Sequence, residues 1–135
     1  MTYRKLYRKH RVFVYGTLKR GFPNHFFIQG QKSLGSAVTV EPYALYEDVY
    51  PLVCKKEHVS PIRGEVYEVG DTILKRMDTL EDHPGYYRRE EVEVELESGK
   101  RIMAWVYFFP EARGRLYPEG DWRPCSPHPD DLPDL

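Results

Sequence analysis

The chain has 135 residues, of which 41% are hydrophobic and 14% aromatic, and this content fits one folded domain with a single core. Its 20 basic and 21 acidic side chains give a formal net charge of −1, so no general attraction draws it to nucleic acid or to a membrane. Two cysteines are too few for a disulfide framework, and no signal-peptide pattern or run of 18 apolar residues is present, so we expect a cytoplasmic protein.

Positive and negative charges are unevenly placed at the two ends of the chain. Residues 1–10 are basic and carry no acid, whereas residues 118–135 are rich in proline and aspartate. We predict a solvated basic extension over 1–10, one domain over 11–117 and an irregular acidic tail over 118–135. A lone tryptophan, Trp122, is expected to anchor that tail to the domain.

The first predicted element is a buried strand, because residues 12–15 are four consecutive apolar or aromatic residues. The strand ends in a turn at Gly16 and Thr17, where a residue without a side chain lets the backbone come close to its surroundings. Several N–H groups in such a turn can point into one space and bind a carboxylate or an oxyanion. We therefore predict a main-chain anion site at residues 15–18, and we expect the following Lys19 and Arg20 to be solvated.

Strand patterns dominate the rest of the chain. A short helix capped by Asn24 is expected to run through Gln29. The predicted strands then follow at 33–46 with a break near Pro42, at 52–54, at 62–69, at 91–97 and at 101–109. These elements predict an α+β fold, in which a mixed β-sheet or small β-barrel carries a few helices.

One predicted helix carries an acid on its apolar face. Residues 71–81 have an amphipathic pattern, with Asp71 as the expected cap. The apolar face consists of Ile73, Leu74, Met77 and Leu80. At 100° per residue Glu81 falls inside this stripe, where an unpaired carboxylate usually has a partner, a raised pKa or a function. The alternative is that the helix ends before Glu81, because Pro84 follows closely, and that the carboxylate turns out to solvent.

Two motifs resemble those of a known family. The first is YGTLKRGFPNH at residues 15–25, and the second joins Asp78 and Glu81 to an aromatic residue at Tyr87. In this order they resemble the gamma-glutamylcyclotransferase-like family, and most closely its gamma-glutamylamine cyclotransferase branch. The resemblance covers residues 11–109 and implies the fold of that family.

The resemblance also implies an activity. Glu81 corresponds to the catalytic glutamate, which acts as general acid and base. The implied substrate-binding residues are Tyr15, Gly16, Thr17, Leu18 and Tyr87, although Tyr87 is equally well explained as a core residue. The implied substrate is a gamma-glutamyl amine such as gamma-glutamyl-lysine, whose own α-amine attacks its side-chain carbonyl and releases 5-oxoproline and a free amine. Neither a metal ion nor a cofactor is expected.

The residues that several other catalytic mechanisms require are absent from the sequence, and some alternative functions stay open. No serine lies in a G-x-S-x-G motif, and Cys54 with His58 is too small a set for zinc. The same ring closure on a different gamma-glutamyl acyl group is one alternative, and a non-catalytic small-molecule-binding or regulatory domain is another. RNA binding through the basic extension is disfavoured by the near-zero net charge. The amine released and the oligomeric state are not determined by the sequence.

Overall fold

The computed structural model describes residues 9–83 and 85–123, which form seven strands, one α-helix and one 3₁₀ helix. The strands are β1 (His10–Val14), β2 (Lys32–Glu47), β3 (Pro51–Cys54), β4 (Ser60–Val69), β5 (Arg88–Leu96), β6 (Arg101–Phe108) and β7 (Arg115–Tyr117). The 3₁₀ helix is Pro23–Phe27, and the α-helix, α1, is Asp71–Leu80. The predicted extension and tail lie largely outside the described residues, so the predicted division of the chain stays a prediction.

Five of the strands close into a barrel. The order β2-β4-β1-β6-β5 returns to its start because β5 also pairs with β2, through Ala37 and Leu96, Val38 and Glu95, and Thr39 and Val94. All of these pairings are antiparallel except that of β1 with β6. Closure leaves the barrel strands without a free edge. The expected α+β fold with a small barrel is therefore confirmed.

Strand β2 serves both the barrel and a small side sheet. Its first half pairs with β4 and β5, and its register with β4 shifts between Val38 and Pro42. Proline lacks the N–H that a ladder needs, so the expected break near Pro42 is confirmed. Beyond the break, β2 pairs with β3 on one side and β7 on the other. Pro51, the first residue of β3, lies next to Gly16, which follows the end of β1.

The continuous apolar run of β1 reflects burial on both of its faces. Phe13 belongs to one core cluster, together with the barrel residues of β4, β5 and β6, and Tyr15 follows on the same face. Val12 and Val14 belong to a second cluster, which includes Leu74 and Met77 of α1. Alternate side chains of a strand point to opposite faces, so a strand covered on both sides needs apolar residues at every position.

Two local predictions need correction, and one strand was missed. The cap of α1 is Gly70 rather than Asp71, which lies in the first turn. Asn24 does not cap a helix, because the short helix begins at Pro23 and is of the 3₁₀ type, while the Asn24 side chain donates to Thr17 Oγ1 at 2.9 Å. Strand β7 was not predicted, because three residues give too short a pattern to recognise.

Candidate functional site

A cavity of about 320 Å³ opens where β1, β3 and the end of α1 meet. Its lining residues are Phe13, Val14, Tyr15, Gly16, Thr17, Leu18, Asn24, Tyr50, Pro51, Leu80, Glu81, Tyr87 and Tyr107. All six residues that the sequence analysis singled out, Tyr15, Gly16, Thr17, Leu18, Glu81 and Tyr87, are among them. The fold thus brings together two motifs that are more than fifty residues apart in the chain.

The turn after β1, at residues 15–18, lines this cavity. Its backbone hydrogen bonds run from Lys19 N to Gly16 O at 2.9 Å and from Asn24 N to Thr17 O at 3.0 Å. Both bonds use carbonyl groups of the turn, so neither of them uses the N–H of Gly16, Thr17 or Leu18. A Cβ atom on Gly16 would lie 2.5 Å from Pro51 Cγ. Glycine is therefore required for the turn to pack against the start of β3.

Glu81 is placed by the way in which α1 ends. Its N–H donates to Met77 O at 2.9 Å, and its backbone is still helical at φ −88° and ψ −1°. The next two N–H groups close a Schellman motif, from Asp82 to Thr79 O at 3.2 Å and from His83 to Asp78 O at 2.8 Å. The helix therefore ends before Glu81, as the alternative reading supposed, but the side chain lines the cavity instead of turning out to solvent.

The Schellman motif puts Asp82 in a conformation that favours glycine. With φ +53°, Asp82 is the one non-glycine residue in the left-handed region within 9–83 and 85–123. We expect Asp82→Gly to raise the free energy of unfolding by about 0.5–1 kcal/mol, because it removes the left-handed strain while keeping the hydrogen bonds of the motif. Asp82→Ala is the matched control, which keeps the strain. Urea unfolding measures both, and a glycine variant no more stable than the alanine variant would contradict this account.

Burial shifts the acidity of the Glu81 carboxyl. Loss of water around this partly buried group raises its pKa to about 7. Burial also raises the pKa values of Tyr15 and Tyr87, and the negative charge of Glu81 contributes to both shifts. The apolar stripe seen in the sequence thus has the consequence expected of it: Glu81 titrates near neutral pH. Leu80 was predicted to belong to the buried apolar face of the helix, but its side chain is 37% exposed. It lines the cavity instead of packing into the core.

Hydrogen bonds to main chain fix the aromatic walls of the cavity. The Tyr15 hydroxyl donates to Tyr107 O at 2.8 Å, and the Tyr87 hydroxyl donates to Pro51 O at 3.1 Å. The proton of Tyr87 is therefore directed at the start of β3 and not at Glu81. Both rings form rigid walls around the space between the turn and the carboxylate.

Comparison with known proteins identifies the family to which this chain belongs. The sequence model of the family described as "Gamma-glutamyl cyclotransferase, AIG2-like" matches residues 12–124. The chain belongs to this family. The prediction of a gamma-glutamylcyclotransferase-type enzyme is thereby confirmed at the level of the family, while the roles of individual site residues stay predictions.

Relatives of this cyclotransferase-family chain come from distant organisms. A Methanocaldococcus jannaschii protein, provisionally named a gamma-glutamylcyclotransferase, is 50% identical over 113 residues, which are 83% of this chain and 94% of that protein. The mouse gamma-glutamylaminecyclotransferase is 33% identical over 119 residues, covering 71% of this chain and 75% of the mouse protein. The crystal structure of a mouse AIG2-like protein superposes with a TM-score of 0.75 at 30% identity, covering 93% of this chain and 94% of that one.

Two features of this cyclotransferase site were not predicted. Tyr107 lines the cavity, and its hydroxyl donates to Asp78 Oδ1 at 2.6 Å, while the Arg89 guanidinium binds the same carboxylate at 2.8 Å. These bonds to Arg89 and Tyr107 lower the pKa of Asp78 against the opposing effect of burial. The second feature is Tyr50, which lies in a segment with no recognisable pattern. The sequence offered one indication of the contacts with Tyr107 and Arg89, which was the position of Asp78 at the edge of the apolar stripe, since a half-buried acid needs partners.

Lys19 corrects the expectation of a solvated loop charge. It is 8% exposed, its Nζ donates to Trp122 O at 2.9 Å, and burial lowers its pKa. The ammonium group also lies 5.3 Å from the Phe22 ring centroid and 3.8 Å from an Asp121 oxygen. Lys19 therefore ties the loop after the turn to residues 121–122, and it is Arg20 alone that is exposed, as expected.

Within residues 9–83 and 85–123, no group of three or more His, Cys, Asp or Glu side chains is arranged to hold a metal ion. The helices in this part of the chain are too short or too polar to cross a bilayer.

Proposed function

We propose that the protein is a gamma-glutamylcyclotransferase that acts on gamma-glutamyl amines, such as gamma-glutamyl-lysine, and releases 5-oxoproline and the free amine. The observation that carries the proposal is that Glu81 and residues 15–18 line the same cavity. The similarity to gamma-glutamylaminecyclotransferases of mouse and zebrafish, at 33% and 32% identity, supports the choice of substrate.

The turn holds the glutamyl end of the substrate. The N–H groups of Gly16, Thr17 and Leu18 bind the α-carboxylate, and the fixed tyrosine walls exclude water from the space around it. This positions the α-amine of the substrate against the side-chain carbonyl of the same glutamyl group. Intramolecular attack in a held geometry contributes on the order of 7–11 kcal/mol, so no covalent enzyme intermediate is needed.

Glu81 moves the protons. Ionised Glu81 takes a proton from the α-ammonium group, and the freed amine attacks the δ-carbonyl carbon to form the ring bond. The bond from this carbon to the leaving nitrogen then breaks as Glu81 returns a proton to that nitrogen. Overall two protons pass from the α-nitrogen to the leaving amine, and Glu81 ends ionised as it began. A pKa of about 7 makes Glu81 a better base than an ordinary glutamate and a usable acid at neutral pH.

The assay is incubation with gamma-glutamyl-lysine, with 5-oxoproline and lysine measured by chromatography between pH 5 and 9. Because the ionised form of Glu81 is required, we expect kcat/KM to rise with pH and to level off above about 7. A profile that levels off near pH 4–5, the range of an ordinary glutamate, would contradict the assigned role of Glu81. Binding of 5-oxoproline without turnover of any gamma-glutamyl compound favours the alternative of a non-catalytic binding domain.

A further inference from the structure

Three of the four tyrosines that line the cavity beside Glu81 are buried. They are Tyr15, Tyr87 and Tyr107, and each carries a hydroxyl group that can donate a hydrogen bond to a carboxylate. Such a bond stabilises the ionised form of a carboxyl group and lowers its pKa. Within the described ranges 9–83 and 85–123, however, no residue donates a hydrogen bond to the Glu81 carboxylate. The cavity is therefore rich in donors that do not bind its acid.

Each of the three buried hydroxyl groups donates to a different acceptor. The Tyr15 and Tyr87 hydroxyls donate to main-chain carbonyls, at 2.8 Å from the carbonyl oxygen of residue 107 and at 3.1 Å from that of residue 51. The Tyr107 hydroxyl differs, because its acceptor is a side chain, Asp78 Oδ1, at 2.6 Å. A substitution at Asp78 therefore releases the proton of Tyr107, whereas the other two acceptors remain whatever the side chains are.

The Arg89 guanidinium fixes Asp78 as an acceptor. Its Nε donates to Asp78 Oδ1 at 2.8 Å and its Nη2 donates to Oδ2 at 3.2 Å, while the group lies over the Trp105 ring at 4.3 Å. Burial opposes ionisation of Asp78, but the hydrogen bonds from Arg89 and Tyr107 outweigh burial and lower the pKa of this carboxyl. An ionised carboxylate has no proton to donate, so the proton of the bond between Asp78 and Tyr107 comes from the tyrosine.

Both partners of this bond lie close to Glu81. Asp78 precedes Glu81 by three residues at the end of α1, a spacing that places two side chains on the same side of a helix. Tyr107 lines the cavity together with Glu81. Burial and the bond to Asp78 raise the pKa of Tyr107, and the negative charge of Glu81 adds to this shift, so the two groups are near enough to interact. Without Asp78, the hydroxyl proton is free to turn toward Glu81.

We propose that Asp78 is a positioning residue, which keeps the Tyr107 hydroxyl bound to itself and thereby leaves the Glu81 carboxylate without a hydrogen-bond donor. This inference rests on the proposed function, because it concerns Glu81 as the group that moves protons. A carboxylate without donors on its oxygens keeps the basicity that burial gives it. A donated hydrogen bond would stabilise the ionised form and make Glu81 a weaker base.

Other titratable groups face Glu81 or Asp78 from the neighbouring elements. A second cavity, of about 330 Å³, lies on the other side of Glu81, and its titratable lining residues are Asp48, Tyr50, Asp82, Tyr86, Tyr87 and Arg113. The two aspartates and the arginine among them are exposed, so their charges are screened by solvent, and burial is the cause of the raised pKa of Glu81. Next to Asp78, His83 accepts the N–H of Arg89 at 3.2 Å through its Nδ1.

The test follows the titration of the Glu81 carboxyl by carbon-13 NMR, with Glu81→Gln used to assign its signal. We expect Asp78→Ala to lower the midpoint by about 1–2 pH units, because the freed Tyr107 hydroxyl then donates to Glu81. Tyr107→Phe should leave the midpoint near 7, since this hydroxyl does not bind Glu81 in the wild-type protein. The double variant Asp78→Ala with Tyr107→Phe should also titrate near 7, because it has no hydroxyl at residue 107 to donate.

The double variant separates this inference from two simpler explanations. Loss of the Asp78 charge and release of the Arg89 guanidinium also change the electrostatics near Glu81, but both changes persist in the double variant. A midpoint that stays low in the double variant therefore overturns the inference. An unchanged midpoint in Asp78→Ala overturns it as well.

Two further variants complete the comparison. If Asp78→Ala does not fold, Tyr107→Phe decides alone: an unchanged midpoint supports the inference, and a midpoint raised by about 1 pH unit overturns it, because it shows that the hydroxyl already binds Glu81. Glu95→Ala is the matched control, since it removes a carboxylate that pairs with an arginine at 3.1 Å on the far part of β5. It should leave the midpoint of Glu81 unchanged.

A turnover assay with the same variants distinguishes this inference from the proposed function. The NMR titration needs no substrate, so its result stands even if gamma-glutamyl-lysine is not turned over, in which case the proposed function alone fails. With turnover, the pH at which kcat/KM levels off should fall in Asp78→Ala and return to about 7 in the double variant, as the NMR midpoint does. A profile that does not follow the midpoint would contradict the proposed role of Glu81 and leave the assignment of Asp78 intact.

Discussion

Glu81→Gln is expected to lower kcat for 5-oxoproline release by about 10²–10⁴-fold, the usual contribution of a general acid–base group. Glutamine has nearly the same shape but cannot take a proton from the substrate ammonium group. The binding proposed for the glutamyl carboxylate at residues 15–18 does not involve this side chain, so KM should change much less than kcat. Steady-state kinetics with gamma-glutamyl-lysine measures both constants. Turnover within a few-fold of wild type would contradict the role proposed for Glu81.

The stability of the same variant distinguishes lost chemistry from lost folding. The pKa of Glu81 is about 7 in the folded protein and about 4.5 in the unfolded chain, so the folded state binds the extra proton between these values. The free energy of unfolding of the wild-type protein therefore falls as pH rises from about 4.5 to about 7, because ionisation then favours the unfolded chain. Glutamine has no such titration. We expect Glu81→Gln to be more stable than wild type by on the order of 1–3 kcal/mol at pH 8, and to lose this advantage at pH 4.

Glu93→Gln is the control for this comparison, because Glu93 is exposed on β5. It should leave both kcat and the pH dependence of stability unchanged. A Glu81→Gln variant that is less stable than wild type at pH 8 would show that the carboxylate has a favourable partner in the folded state. Inactivity combined with higher stability is the outcome that marks a group held in an unfavourable environment for function.

The part of the site that could be predicted from the sequence is the part encoded by local patterns. The apolar run at residues 12–15 and the glycine after it indicate a buried strand that ends in a turn, because a short apolar run bounded by glycine is typical of a strand covered on both faces. The 3.6-residue period of α1 placed Glu81 among apolar side chains, and the family resemblance pointed to the same residue. The residues that make up each of these two motifs lie within a few positions of one another, so both motifs can be recognised in the sequence alone.

The other residues of the site come together only through the tertiary fold. Tyr50 lines the cavity because it directly precedes β3, which pairs with the part of β2 that follows the register shift near Pro42. Tyr107 lies on β6 and is placed by its parallel neighbour β1, a pairing that short patterns do not specify. Lys19 looked like a loop charge because its partners, Asp121 and Trp122, are a hundred residues away. Contacts between residues so far apart in the chain produce no periodic pattern or fixed spacing in the sequence from which they could be predicted.

Trp122→Ala is expected to lower the free energy of unfolding by about 3–5 kcal/mol, the usual effect of removing a large buried aromatic side chain. Trp122 is 5% exposed, belongs to the barrel's core cluster and packs against Phe22 with ring centroids 5.1 Å apart. For a domain of this size the loss corresponds to a fall in Tm of roughly 10–20 °C. Thermal and urea unfolding measure it.

Two control variants separate packing from other effects. Trp122→Phe keeps most of the ring contacts and removes an indole N–H that has no hydrogen-bond partner among the described residues, so its cost should stay below about 1.5 kcal/mol. Phe26→Ala removes an aromatic side chain that is 63% exposed and should cost no more than about 0.5 kcal/mol. Equal effects of Trp122→Ala and Phe26→Ala would contradict the view that Trp122 anchors this segment.

The loss of the Trp122 side chain should also weaken substrate binding at the proposed active site. Lys19 directly follows the turn proposed to bind substrate, and its ammonium group donates to the carbonyl oxygen of residue 122. When the indole is removed, residues 121–122 lose their anchor, and the loop that fixes residues 15–18 loses its support. At a temperature well below the Tm of Trp122→Ala, we therefore expect KM to rise several-fold while the plateau of kcat/KM still begins near pH 7, because the surroundings of Glu81 are unchanged. A variant with wild-type KM would limit the role of Trp122 to stability.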